Sequence, residues 1–141
     1  MKKNISFIMA FSLIAMVSLY FFNEYRTKNL VQDFFDTDSL AEVTHDISII
    51  DTERNVKTIK KDSTVFPTLL NLLGKLEIKR TSSTFTYTGF SMIIYYNNDL
   101  HVIYLSENGL LTYNHKTYEI QNKKEFKKFL DIVKKEADSK S

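Results

Sequence analysis

The sequence predicts an α+β fold, in which an N-terminal transmembrane helix precedes a small domain. In that domain an antiparallel β-meander packs against a C-terminal helix and a short second helix. Three observations predict it: an uncharged apolar run, a series of Asn-containing turn signals, and an apolar stripe of helical spacing near the end of the chain. They divide the 141 residues into a membrane anchor at 1–24, a linker or stalk at 25–44 and a globular domain at 45–138.

The first element is predicted to cross a membrane. Residues 5–22 carry no charge, and as a helix they rise about 27 Å, close to the ~30 Å hydrocarbon thickness of a bilayer. Aromatic residues 20–22 end the run in the manner of an interfacial belt. A cleaved signal peptide is the alternative, but its candidate small residues, between Ala15 and Ser18, lie inside the apolar run.

The charges beside the anchor set the predicted orientation. Lys2 and Lys3 flank one end, and Arg26 and Lys28 at the other end stand among several carboxylates. Short N-terminal tails with long C-terminal domains usually keep the N-terminus inside, and the charges favour the same topology slightly. The predicted location is the cell membrane, single-pass, with the C-terminal domain outside. Secretion after signal cleavage is the alternative.

The first part of the domain combines short strands with one helix. Two β-prone runs at 46–50 and 56–59 predict a hairpin with a longer loop. A Leu-rich helix over 66–73 is expected to end at Gly74 in the left-handed conformation. Residues 78–88, rich in Thr, Ser and aromatics, predict a further strand.

The turn signals then predict a four-stranded meander at 91–96, 100–106, 110–113 and 117–120, with Asn108-Gly109 the strongest hairpin signal. Two residues in each turn would fix the register and assign side chains to faces. One face then collects Ile93, Tyr95, Val102, Tyr104, Leu111, Tyr113, Tyr118 and Ile120. The opposite face collects Met92, Ile94, Tyr96, His101, Ile103, Leu105, Leu110, Thr112, Thr117 and Glu119. We expect the first face to lie under the C-terminal helix.

That helix begins at a variant capping box, in which Asn122 replaces the usual Ser or Thr. Its apolar stripe has helical spacing. The stripe consists of Phe126, Phe129, Leu130 and Val133. We expect these side chains to pack against Tyr95, Tyr104, Tyr113 and Tyr118.

Composition and motifs exclude several functions. The net charge of +2 gives no field to attract nucleic acid, and the absence of Cys removes disulfides and thiolate chemistry. With three Gly in all, phosphate-binding loops are not expected. His45, His101 and His115 do not have metal-ligand spacing. The sequence therefore predicts no catalytic residue, no metal and no cofactor.

The remaining prediction is a membrane-anchored extracytoplasmic binding or interaction module that is not an enzyme. Its partners would be the membrane, through residues 5–22, and another protein. The predicted partner surface is the apolar part of the second sheet face, with two polar residues at its rim. It consists of Met92, Ile94, Tyr96, His101, Ile103 and Leu105. The alternatives are an accessory subunit that packs through its transmembrane helix in a membrane complex, and a small hydrolase-like enzyme.

Overall fold

The computed structural model of the chain describes residues 2–37, 40 and 45–138. Within these ranges the chain forms four helices and eight strands, which confirms the predicted α+β class. The helices are α1 (Lys2–Tyr25), α2 (Leu30–Phe35), α3 (Val65–Gly74) and α4 (Lys123–Asp138). The strands are β1 (Thr27–Asn29), β2 (Ile47–Ile50), β3 (Val56–Ile59), β4 (Glu77–Arg80), β5 (Gly89–Tyr96), β6 (Asp99–Ser106), β7 (Leu110–Tyr113) and β8 (Lys116–Ile120).

The strands form one antiparallel sheet in the order β1-β4-β8-β7-β6-β5-β2-β3. The predicted meander supplies its centre, from β5 to β8. The predicted hairpin of β2 and β3 extends one edge by pairing with β5. At the other edge β4 pairs with β8, and the short β1 pairs with β4.

Three helices cover one face of this sheet. α3 packs against both α2 and α4, and their apolar side chains join those of the strands in a single hydrophobic core. The predicted stripe of α4 is buried as expected, with Phe129 fully inaccessible. We call this side the helical face. From the strands it contains Ile47, Ile49, Ile59, Ile78, Phe90, Met92, Ile94, Ile103, Leu105, Leu111, Tyr113, Tyr118 and Ile120.

The predicted faces of β5 and β6 are reversed. The turns at Asn97-Asn98 and Asn114-His115 have the predicted two residues, both with the positive φ that type I′ hairpins require. The turn after β6 has three residues, because Leu105 lies opposite Leu111 and Gly109 adopts a φ of 89°. The Gly109 N–H donates to the Ser106 carbonyl at 3.0 Å. Side chains alternate between the two faces along a strand, so one extra residue in this turn changes which side chains of β5 and β6 share a face with those of β7 and β8. The side chains of β5 and β6 predicted to face the helices therefore face away from them, and the others face the helices.

The predicted linker is also partly wrong. Residues 27–35 form β1 and α2, and α2 buries all four of its apolar side chains. The Asn29 side chain accepts from the Val31 N–H at 2.9 Å and donates to the Gly74 carbonyl at 2.7 Å, which ties the segment to the end of α3. This part of the chain therefore belongs to the folded domain, whereas residues 38–39 and 41–44 lie outside the described ranges.

Three local expectations are corrected as well. The strand predicted at 78–88 ends at Arg80, and residues 81–88 have no regular structure. Gly74 ends α3 but does not adopt a positive φ. The Asn122 side chain does not cap α4; it accepts from the Glu77 N–H at 2.9 Å and donates to the Lys75 carbonyl. Asn122 thus fixes the start of α4 to the start of β4.

Candidate functional surface

The predicted partner surface lies inside the domain. Because the faces of β5 and β6 are the reverse of those predicted, four of the predicted surface residues have no solvent exposure and lie in the core. They are Met92, Ile94, Ile103 and Leu105. An open patch at these residues is therefore excluded. The two polar residues predicted at its rim, Tyr96 and His101, are half-buried beside α2.

His101 belongs to an aromatic cluster beneath α2. Its ring lies 4.5 Å from that of Phe35 and stacks on Tyr113, whose hydroxyl is within hydrogen-bonding distance of Nδ1. The Tyr113 hydroxyl donates its one hydrogen to the Phe34 carbonyl at 3.3 Å. It therefore accepts the hydrogen bond from His101, which carries its proton on Nδ1 in this arrangement. Burial lowers the pKa of His101 and raises that of Tyr113. This cluster attaches α2 to the sheet.

The opposite side of the sheet carries the exposed apolar residues. Cross-strand partners Ile93 and Val102, and Tyr95 and Leu100, share this side with Tyr104. Tyr95, Leu100 and Tyr104 are 42%, 53% and 44% exposed, whereas Ile93 and Val102 are half-buried between neighbouring strands. These five residues form a continuous strip along β5 and β6, which we call the open sheet face. The sequence predicts four of them, Ile93, Tyr95, Val102 and Tyr104, to lie in the core, and that prediction is wrong.

Two aromatic contacts border the open sheet face. Tyr87 meets Tyr104 edge to face, and its hydroxyl donates to the Ile50 carbonyl at 3.2 Å. At the other end His45 meets Tyr95 in the same way. A cleft next to this second contact is lined by His45, Asp46, Lys61 and Tyr95. Hydrogen bonds from the Lys61 N–H and from Lys60 lower the pKa of Asp46, so its carboxylate serves local structure.

A second surface joins α1 to the sheet. Glu24, in the last turn of α1, is 14% exposed and forms salt bridges with Arg80 of β4 and Lys116 of β8; the Lys116 distance is 2.9 Å. The Arg80 guanidinium also lies 6.0 Å from the centre of the Tyr25 ring. We call Glu24, Tyr25, Arg80 and Lys116 the junction. No sequence motif indicated it, because its cations come from strands whose pairing was not predicted.

The helix that the junction holds is long and apolar enough to span a membrane. The candidate span is Phe7–Tyr25, and its side chains up to Asn23 are exposed, with no packing against the rest of the described chain. Apolar residues such as Phe7, Met9 and Phe22 are 69–78% exposed. In water so large an apolar surface would be unfavourable, and a bilayer removes that cost.

The described part of the chain brings no three His, Asp or Glu side chains together as metal ligands. A comparison with known proteins gives no further indication: the chain matches no family model, no curated protein and no solved structure. The open sheet face, the junction and α1 are therefore the features of the described chain that bear on its function.

Proposed function

We propose that this chain is a single-pass membrane protein whose domain, held outside the cell at the bilayer surface, binds another protein and catalyses no reaction. The observation that carries the proposal is the open sheet face. It presents the exposed cross-strand pair Tyr95 and Leu100 at one end and the exposed Tyr104 at the other. The half-buried pair Ile93 and Val102 lies between them. Contiguous apolar patches on small domains often mark protein-binding sites.

The chemistry of the open sheet face suits a protein partner. Tyr104 offers a large, stiff ring with a hydroxyl at its end, and Tyr is enriched among the residues that dominate binding energy. Leu100 and Val102 add apolar area around it. A partner with an apolar centre and a hydrogen-bonding rim would match this strip, since that is the usual arrangement of protein interfaces.

The attachment of the domain supports the same proposal. The junction leaves no long flexible stalk between α1 and the sheet, because β1 begins two residues after α1 ends. The open sheet face is therefore presented at a restricted height above the bilayer. Such a position suits a partner in or near the same membrane.

The exposure of α1 favours a second candidate function. From Phe7 to Asn23 its side chains are exposed, so it can contact other transmembrane helices as well as lipid. In that case the chain would be an accessory subunit that packs through α1.

Site-specific photo-crosslinking in native membranes separates these proposals. A benzophenone amino acid at Tyr104 is expected to give adducts with another protein, and one at the exposed Lys127 on α4 is expected to give none. Adducts of equal yield at both positions, or none at Tyr104, would contradict binding at the open sheet face. Adducts of two copies of the chain alone would indicate self-association. Adducts only from a probe at Leu13 would favour the accessory subunit.

A further inference from the structure

The junction lies at the depth of the lipid headgroups if α1 spans the bilayer. Exposed aromatic residues 20–22 and Tyr25 stand at the end of α1 that enters the domain. Such residues prefer the membrane–water interface. From Phe22 to Arg26 the chain rises only about 6 Å. The salt bridges of Glu24 bring cations of the sheet to the same level.

The junction and residues 26–33 together carry more cations than carboxylates. Their basic side chains are those of Arg26, Lys28, Arg80 and Lys116, and two of their side chains are acidic. The acids are Glu24, which is shared by Arg80 and Lys116, and Asp33, which pairs with Lys28 at 3.0 Å.

Arg26 supplies much of this excess. It is exposed, and no salt bridge joins it to another described residue. It lines a polar cleft directly beyond the end of α1, together with Thr27, Lys28, Asn29, Gln32 and Asp33. The Asp33 carboxylate in this cleft is paired with Lys28. Arginine presents several N–H donors in a planar fork that matches the oxygens of a phosphate group. An anion that reaches this cleft therefore meets both charge and donors.

We infer that the junction and Arg26 bind the phosphate groups of anionic phospholipids in the membrane that α1 enters. The inference rests on the proposed anchoring of α1. A phospholipid is favoured over a soluble anion because it can satisfy both parts of this region at once. Its acyl chains lie at the depth of the aromatic residues of α1, and its phosphate lies at the depth of the cations. Cations near an anionic membrane surface gain attraction that is largely additive. The domain would then be oriented by lipid as well as by α1.

Native mass spectrometry of the full chain in mild detergent tests this inference. With equal amounts of phosphatidylglycerol and phosphatidylcholine, the chain is expected to retain mainly phosphatidylglycerol. The double variant Arg26→Gln, Lys116→Gln keeps the Arg80 salt bridge and is expected to lose the preference, by about five-fold for each cation removed. The control variant Lys124→Gln, Lys127→Gln removes the same charge from exposed positions of α4 and should retain the preference.

Three outcomes would overturn the inference: equal retention of both lipids by the native chain, an equal loss in both double variants, or displacement of phosphatidylglycerol by millimolar inorganic phosphate. Thermal unfolding followed by circular dichroism checks that the variants fold. If the junction variant unfolds, the single variant Arg26→Gln replaces it, because the Arg26 side chain forms no salt bridge within the described residues. Alkaline carbonate extraction of the native chain tests anchoring separately, so failure of lipid binding is distinct from failure of the anchor.

Discussion

At the scale of single residues, His101 shows how the helical face depends on protonation. The native structure keeps its ring between Phe35 and Tyr113, where burial disfavours the imidazolium and lowers the pKa. The unfolded chain leaves His101 in water, where it takes up a proton near pH 6.5. Below that pH the unfolded state binds more protons than the native state, so acid favours unfolding.

The domain is therefore expected to be most stable above about pH 6.5 and to lose stability as the pH falls toward the lowered pKa of His101. The variant His101→Gln removes this titration while keeping an N–H to donate to Tyr113. Urea midpoints at pH 7.5 and 5.5 provide the test. The native chain should show the larger drop on acidification; an equal drop in both proteins would assign the pH dependence to other groups.

At the scale of elements, α4 and the hairpin turns could be predicted from the sequence because their signals are local. The apolar stripe from Phe126 to Val133 needs only helical spacing, and Asn97-Asn98 needs only residues that tolerate positive φ. The length of the turn at Asn108-Gly109 was harder to predict, because Gly109 fits either a two-residue or a three-residue hairpin. That single difference placed Ile103 on the wrong face and with it the candidate partner surface.

β1 and α2 were missed for another reason. Three and six residues are too short to establish a period. Their stability comes from distant contacts, such as that of Phe34 with Tyr113, whose rings stack at 4.1 Å. The open sheet face was likewise inaccessible to sequence reasoning, because its apolar residues resemble core residues. Only the register of β6 against β7 shows that they face outward.

The stability of the domain should depend strongly on α4. Phe129 has no solvent exposure, and replacing a buried Phe by Ala typically costs about 3–5 kcal/mol. Phe129→Ala is therefore expected to remove most of the stability of so small a domain. Lys127→Ala, on the exposed side of the same helix, should change stability by less than about 0.5 kcal/mol. Similar urea midpoints for the two variants would be inconsistent with the packing of α4 described above.

At the scale of the whole molecule, the junction holds an exposed apolar helix to a sheet that carries an outward-facing apolar strip. Glu24 couples the helix to the sheet, since its carboxylate bridges β4 and β8 from the last turn of α1. A partner bound at Tyr104 and lipids bound at Arg26 would thus act on one folded unit. We propose above that this unit stands outside the cell on an uncleaved anchor.

Thiol labelling in intact cells tests that claim most directly. The chain has no Cys, so Lys3→Cys and Lys127→Cys each carry a single thiol. With a membrane-impermeant maleimide, we expect labelling of full-length Lys127→Cys in intact cells and of Lys3→Cys only after permeabilisation. Labelling of Lys3→Cys in intact cells with protection of Lys127→Cys would contradict the orientation, and recovery of Lys127→Cys only as a shortened soluble form would contradict the anchor.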